Sequence, residues 1–261
     1  MANCSWGGNR SYEGYFYLLF KAQQEDGTFL STHIWRNSSV FAEAPMFNLW
    51  LMICISIELF LRAKIIWKHL IIFIISVLTA FSTTGILFII ICILLKLYNK
   101  IFLKKYKSAK IVNLLFLLAG SIGGYYMITL IITLKSSTNS YILRMRDYES
   151  AMMFISQNSF LGTGYGNLEI LTKNLNTTGF SNGIMAILIT GGIYITIIFF
   201  FPILMALIKG VHRNHKTISS LAICYLYIFI TVLCTNHYWI AVCASFFYAK
   251  LITSSTSQKL L

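Results

Sequence analysis

The sequence predicts an all-α polytopic membrane protein of about six to seven transmembrane helices with an outer loop of about 45 residues. Three observations carry this. Of 261 residues, 57% are apolar and only 11% are charged, against roughly a quarter charged in a soluble domain; a soluble globule and a disordered chain are both excluded. The apolar residues run together and do not alternate, which favours spanning helices over barrel strands. Lys and Arg number 21 against eight Asp and Glu, a net charge of +13. In a soluble chain that excess points to nucleic acid. Here it is explained by the Lys/Arg enrichment of cytoplasmic loops, and no nucleic-acid partner is expected.

Residues 1–45 are polar and mixed, contain no signal-peptide core, and read as an extracytoplasmic N-terminal segment. Residues 46–134 hold the first transmembrane helices. The run 46–61 ends in Arg62, Lys64 and Lys68. A short hairpin at 70–95 follows, split by Ser82-Thr83-Thr84-Gly85. Its two arms have roughly 12 and 10 strongly apolar residues against the ~20 that cross a bilayer. The hairpin therefore either borrows flanking residues such as Trp67 and Leu97 or re-enters on one side, buried by its neighbours. The span 111–134 completes this part, 135–179 is the outer loop, and 180–252 holds the remaining helices, with Gly191-Gly192 and Pro202 inside the first of them. Residues 253–261 form a cytoplasmic tail.

Alternating sides puts fourteen Lys and Arg on the inner side with no acid, and seven basic and seven acidic residues outside. The eighth acid, Glu58, sits near the inner end of the first span, where Arg62 one turn later can pair with it. The six cysteines show no Cys-x-x-Cys spacing and read as small packing residues. No cluster has metal-ligand spacing, so neither a metal nor another cofactor is expected.

Polar chemistry gathers on the outer loops. Arg36 and Glu43 are seven residues apart, which on a helix would place them on one face; alternatively Ser39, Glu43 and Pro45 only mark a helix start. The second loop carries Arg144, Arg146, Asp147 and Glu149, then Phe160-Leu-Gly162-Thr-Gly164-Tyr-Gly166-Asn167. Arginines there can grip phosphate through a bidentate fork, or else hold headgroups or a loop carboxylate. The glycine run lacks the strand–turn–helix context of a dinucleotide loop. It also lacks the register of a potassium filter, with Gly162 where Thr is needed. His33 and His237 fall outside; His69, His212 and His215 fall inside.

Three stretches of this chain resemble the Wzy-type polymerases of capsular polysaccharide and O-antigen, relatives of the O-antigen ligases. They are Arg36-x4-Phe41-x-Glu43-x-Pro45 leading into a span, Thr79-Ala-Phe-Ser82-Thr83-Thr84-Gly85 between short apolar runs, and Arg144 to Asn167 with its glycine turn. Ser181-Asn182-Gly183 before Thr190-Gly191-Gly192 is a further echo, and Ser181, where the ligases carry His, favours a polymerase. The family carries more spans than this chain, so the resemblance implies that an N-terminal half is missing.

The resemblance implies a glycosyltransferase-type enzyme in the bacterial plasma membrane. It would polymerise oligosaccharide repeat units on the outer leaflet, transferring glycan from undecaprenyl diphosphate. Its partners would be the undecaprenyl-diphosphate-linked oligosaccharide, the bilayer, a flippase and a chain-length regulator. A lipid diphosphate leaving group needs cations, and an acceptor hydroxyl needs a base. Arg144, Arg146 and Arg36 are the candidates for the diphosphate, and Glu43 or His237 for the base. Gly162, Gly164, Gly166, Asn167 and Asn182 are the candidates for contact with the substrate. A polysaccharide flippase or transporter and a non-catalytic membrane subunit are the alternatives.

Overall fold

The computed structural model describes residues 2–6, 10–15, 19–20, 23–25, 34–41, 44–102, 160–164, 183–212, 216–232 and 239–256, with isolated positions between 126 and 153. From residue 44 onward every regular element among them is helical, in keeping with the α class read from the sequence. The N-terminal segment adds short strands that composition did not signal. β1 (Ala2–Trp6), β2 (Arg10–Tyr15) and β3 (Leu19–Phe20) form an antiparallel sheet in the order β1-β2-β3. β4 (Gln23–Glu25) and β5 (Ile34–Arg36) pair antiparallel, with Gln23 opposite Arg36.

Six helices follow. α1 (Ala44–Ser56) runs on into a π-turn at Ile57–Leu61, closed by the Arg62 N–H donating to the Ile57 carbonyl at 3.1 Å. α2 (Trp67–Thr79) and α3 (Thr83–Phe102) are the two arms of the expected hairpin; the break falls at residues 80–82, so that of Ser82-Thr83-Thr84-Gly85 only Ser82 lies in it and the other three form the first turn of α3. α4 (Gly183–His212), α5 (Lys216–Thr231) and α6 (Trp239–Thr256) complete the set. Tyr126, Thr129 and Thr133, in the predicted span 111–134, are helical; the rest of that span lies outside the described residues.

Two stretches, Ala44–Leu61 and Gly183–Gly210, are long and apolar enough to cross a membrane. The apolar stretches of the other helices, Trp67–Thr79, Thr83–Asn99, Thr217–Thr231 and Ala241–Thr253, are shorter. α2, with 13 residues, is about 20 Å long, against a hydrocarbon core of about 30 Å.

Hydrogen bonds fix the relative directions of the helices. Asn37 joins Thr79, the Tyr227 hydroxyl donates to the Thr84 carbonyl, and the Gly183 N–H donates to the Val232 carbonyl. The start of α1, the α2–α3 turn, the start of α4 and the end of α5 therefore share one end of the bundle. At the other end the Lys96 ammonium reaches the Leu59 carbonyl, and Asn99 donates to the Ser220 hydroxyl at 2.9 Å. Here too the Arg62 guanidinium meets Glu58 at 2.8 Å, as the one-turn spacing predicts. Glu58 also accepts the Ile66 N–H at 2.6 Å, so a buried carboxylate holds the bend between α1 and α2. Lys64, Lys68 and Lys209 lie at this same end.

The core is apolar and includes Met52, Phe88, Ile189, Ile203, Leu221, Ile228 and Phe247. Cys92 and Cys224 meet inside it, with sulfurs 3.8 Å apart, as packing residues between α3 and α5. The outside is apolar as well. On α2, Ile71, Ile72, Ile75 and Leu78 are exposed while Leu70 and Val77 are buried; on α4, Ile193, Ile197, Phe201, Leu204 and Ile208 form an exposed stripe. A helix bundle in water turns such faces inward.

Candidate functional site

The glycine turn and the glycine pair of α4, noted separately in the sequence, meet. α4 is not continuous: Gly192 has φ 67° and ψ −173°, a conformation effectively reserved for glycine. A continuous helix would pair the Ile189 and Thr190 carbonyls with N–H groups four residues on. Instead they accept from the backbone of the turn, Thr163 N–H to Ile189 at 2.8 Å and Gly164 N–H to Thr190 at 2.9 Å.

The approach is backbone against backbone. A Cβ on Gly162, itself at φ 67°, would stand 2.5 Å from both the Gly192 nitrogen and the Ile189 oxygen; a Cβ on Gly192 would overlap the Phe160 carbonyl. Both positions therefore require glycine for space as well as for torsion. The interruption lies nine residues into α4, about 13 Å along its axis from Gly183. Thr190 and Thr196 each donate a hydroxyl to a carbonyl one turn back, Ala186 and Gly192 respectively, on either side of the break. Phe160 and Leu161 at the tip of the turn are exposed, and Phe160 lies against Tyr194 with ring centroids 6.5 Å apart.

The first two motifs meet in the same way. The Asn37 backbone N–H and side-chain amide donate to the Thr79 carbonyl and hydroxyl, each at 3.1 Å. A tight turn, with Ser39 at φ 53°, follows, and the Phe41 N–H donates to the Ser38 carbonyl at 3.0 Å. Phe41 then stacks on Phe47 and Trp50 of α1, with centroids 6.1 and 6.3 Å away. Phe41 thus fastens the segment carrying Arg36 onto the head of α1. Beneath it, Gly85 packs against Val77 and the Asn48 side chain.

Of the sequence candidates, Gly162 and Gly164 are brought to the interrupted helix, and the Arg36 backbone pairs with Gln23 in β5. Glu43, His237, Arg144, Arg146, Gly166, Asn167 and Asn182 lie outside the described residues. Met145, which separates the two arginines, is helical, as are Tyr148 and Glu149.

Sequence reasoning missed Asn48 and Ser38. Both are buried, and neither the Asn48 amide nor the Ser38 hydroxyl has a hydrogen-bond partner. A lone Asn in the apolar run 46–61 was the available signal for the first. Ser38 gave none, because its burial depends on Asn37 docking on α2.

Compared with known proteins, the chain matches no family model, and no curated protein aligns with it significantly.

Proposed function

We propose that this chain is a polytopic membrane enzyme that polymerises lipid-linked oligosaccharide repeat units, a Wzy-type polymerase acting on the outer leaflet. The observation that carries the reading is the pairing of motifs. The Arg36–Pro45 stretch docks on the Thr79–Gly85 hairpin through Asn37 and Thr79, and the glycine turn docks on the Thr190-Gly191-Gly192 stretch. Separate stretches that carry the resemblance thus meet in pairs. The apolar outward stripes on α2 and α4 support immersion in lipid.

The chemistry follows from the leaving group. Arg144, Arg146 and Arg36 neutralise the departing diphosphate of undecaprenyl diphosphate, and Glu43 or His237 takes the proton of the acceptor hydroxyl. A helix continued through Met145 would set Arg144 and Arg146 about 200° apart, so one of the two carries the larger share.

Alanine at that arginine should slow transfer by about ten- to several-hundred-fold, the loss expected for one or two charge-assisted hydrogen bonds. Lysine restores charge without the fork and should rescue only partly. The measurement is polymer length and accumulated lipid-linked repeat unit in cells carrying Arg144→Ala, Arg146→Ala, their double mutant and the two lysine variants at the chromosomal locus. Normal polymer from the double mutant would end the diphosphate role.

A lipid-glycan flippase is the second reading, and the break at Gly192 favours it, since transporters place interrupted helices at their sites. The same cells separate the two. Loss of a polymerase leaves single repeat units on the outer leaflet, whereas loss of a flippase leaves them on the inner one.

A further inference from the structure

Of the four buried side-chain polar atoms without a hydrogen-bond partner among the described residues, two belong to Asn48. Asn48, in the second turn of α1, is 0% exposed, yet neither its amide oxygen nor its amide nitrogen has a partner. The Oδ1 atom faces the first turn of α3, 3.0 Å from where a Cβ on Gly85 would lie, and Val77 of α2 lies against that same position. Ser38, which follows the residue bonded to Thr79, is 2% exposed with its hydroxyl also unpartnered. The remaining orphan among the described residues, Asn99 Oδ1, belongs to an amide whose nitrogen is already satisfied by Ser220. Among the described residues, Asn48 is the buried amide with neither its oxygen nor its nitrogen matched.

The polar groups around it do not account for this. Ser82 and Thr84 share a hydrogen bond at 2.7 Å, Thr79 is taken by Asn37, and the Thr84 carbonyl is taken by Tyr227. Buried amides are normally paired, and one that is not calls for a ligand, a water or a second conformation. The α2–α3 turn, which ends three residues before Gly85, carries a feature suited to movement. Phe81 has φ 45°, a strained value for a bulky residue, and its ring is exposed at the turn.

We infer that the junction of α1 with the α2–α3 turn is a binding site for an uncharged, hydroxyl-bearing ligand, a sugar unit. It opens when the turn around Phe81 moves off α1, and the Asn48 amide and Ser38 hydroxyl then bond the sugar's hydroxyls. An amide offers donors and an acceptor together, and a hydroxyl offers both at one atom, which suits a sugar ring. The Phe81 ring at the mouth gives the apolar wall that ligand sites combine with a few convergent polar groups. The identity of the ligand as the acceptor end of a glycan rests on the polymerase reading; the existence of the site does not.

The test separates the two. Val77→Cys, which keeps both Asn48 and Ser38, in a chain whose six native cysteines are replaced, reports opening, because position 77, against Gly85 beside Asn48, is sealed in the closed form. An impermeant maleimide applied to intact cells should label it. Glucose, galactose, mannose or N-acetylglucosamine, supplied as free sugars, should slow that labelling several-fold. No labelling overturns the site; labelling that no sugar slows means that the amide only holds water, and also overturns it. These outcomes stand whether or not the chain makes polymer.

Asn48→Leu supplies the second measurement. Replacing an unpaired amide by an apolar group of similar size should leave the thermal midpoint of the detergent-purified protein unchanged or raised, while polymer synthesis falls about tenfold, the loss of one hydrogen bond to a ligand. A lowered midpoint would show that the amide serves the fold, and would sink the proposal. Unchanged polymer with protected labelling would leave the sugar site and remove its link to polymerisation.

Discussion

Helix α4 is interrupted in character twice, at Gly192 and at Pro202, and the two places are satisfied by different means. Proline has no N–H, so the carbonyl four residues before it loses its helical donor. That carbonyl belongs to Ile198, and the Tyr248 hydroxyl of α6 donates to it at 2.8 Å. One side chain from a neighbouring helix answers one missing bond, and the backbone stays helical. At Gly192 the backbone itself leaves the helix, two carbonyls are released, and a separate loop supplies two backbone N–H groups in register. A side chain suffices where the defect is a missing atom. A change of torsion needs a second piece of main chain, and main chain can come that close only where both sides lack a Cβ. The first arrangement tolerates substitution; the second does not.

Substitutions can break that contrast, and Gly192→Ala should do the most damage. The torsion alone costs about 1–3 kcal/mol in a residue with a Cβ, and overlap with the Phe160 carbonyl adds to it, so the turn should undock. The thermal midpoint in detergent should fall sharply, and proteolysis between residues 135 and 182 should quicken. An unchanged midpoint would mean that the contact contributes nothing.

Gly162→Ala should come next, because its Cβ meets backbone atoms on two sides. Gly164→Ala is the comparison that sharpens it. Gly164 also has positive φ, at 87°, but a Cβ there meets nothing within 4 Å. Its substitution should cost only the left-handed torsion, about 1–2 kcal/mol. Equal losses at 162 and 164 would mean that torsion, and not close approach, governs the turn.

Tyr248→Phe should have the smallest effect, about 1 kcal/mol for a partly exposed hydrogen bond. Made in a Pro202→Ala background it should cost less still, since alanine returns the N–H that Ile198 lacks. A double-mutant cycle on thermal stability measures this coupling; additive effects would deny that Tyr248 answers the proline.

The ways these features were visible in the sequence differ for the same physical reason. The break between α2 and α3 is local, and the polar stretch Ser82-Thr83-Thr84-Gly85 marks it to within a few residues, the chain leaving the helix at 80–82 and resuming it at Thr83. The Glu58–Arg62 pair is local too, one helical turn apart, and forms as expected. Gly191-Gly192 and Pro202 were visible as irregularities, but what satisfies them comes from the turn at 160–164 and from α6, and no periodicity connects those segments. Asn48 is the extreme case. Its residue type was legible within an apolar run, but its lack of a partner follows only from α1, α2 and α3 packing together. Composition marks Arg144, Arg146 and Glu149 only as polar residues between apolar runs, and gives no sign of the helix that Met145, Tyr148 and Glu149 adopt.

Sequence separation gives the contact between the turn and α4 a place in the order of assembly. Thr163 and Ile189 are 26 residues apart, whereas Tyr227 and Thr84 are 143 apart and Asn99 and Ser220 are 121 apart. The shorter loop is the cheaper to close, and the chain emerges from the ribosome N-terminus first. The turn can therefore latch onto α4 as soon as that helix has been synthesised, before α5 exists to tie α3 to the rest. A late step in biogenesis would then join two prebuilt pieces, residues 37–102 and residues 160–212, through α5.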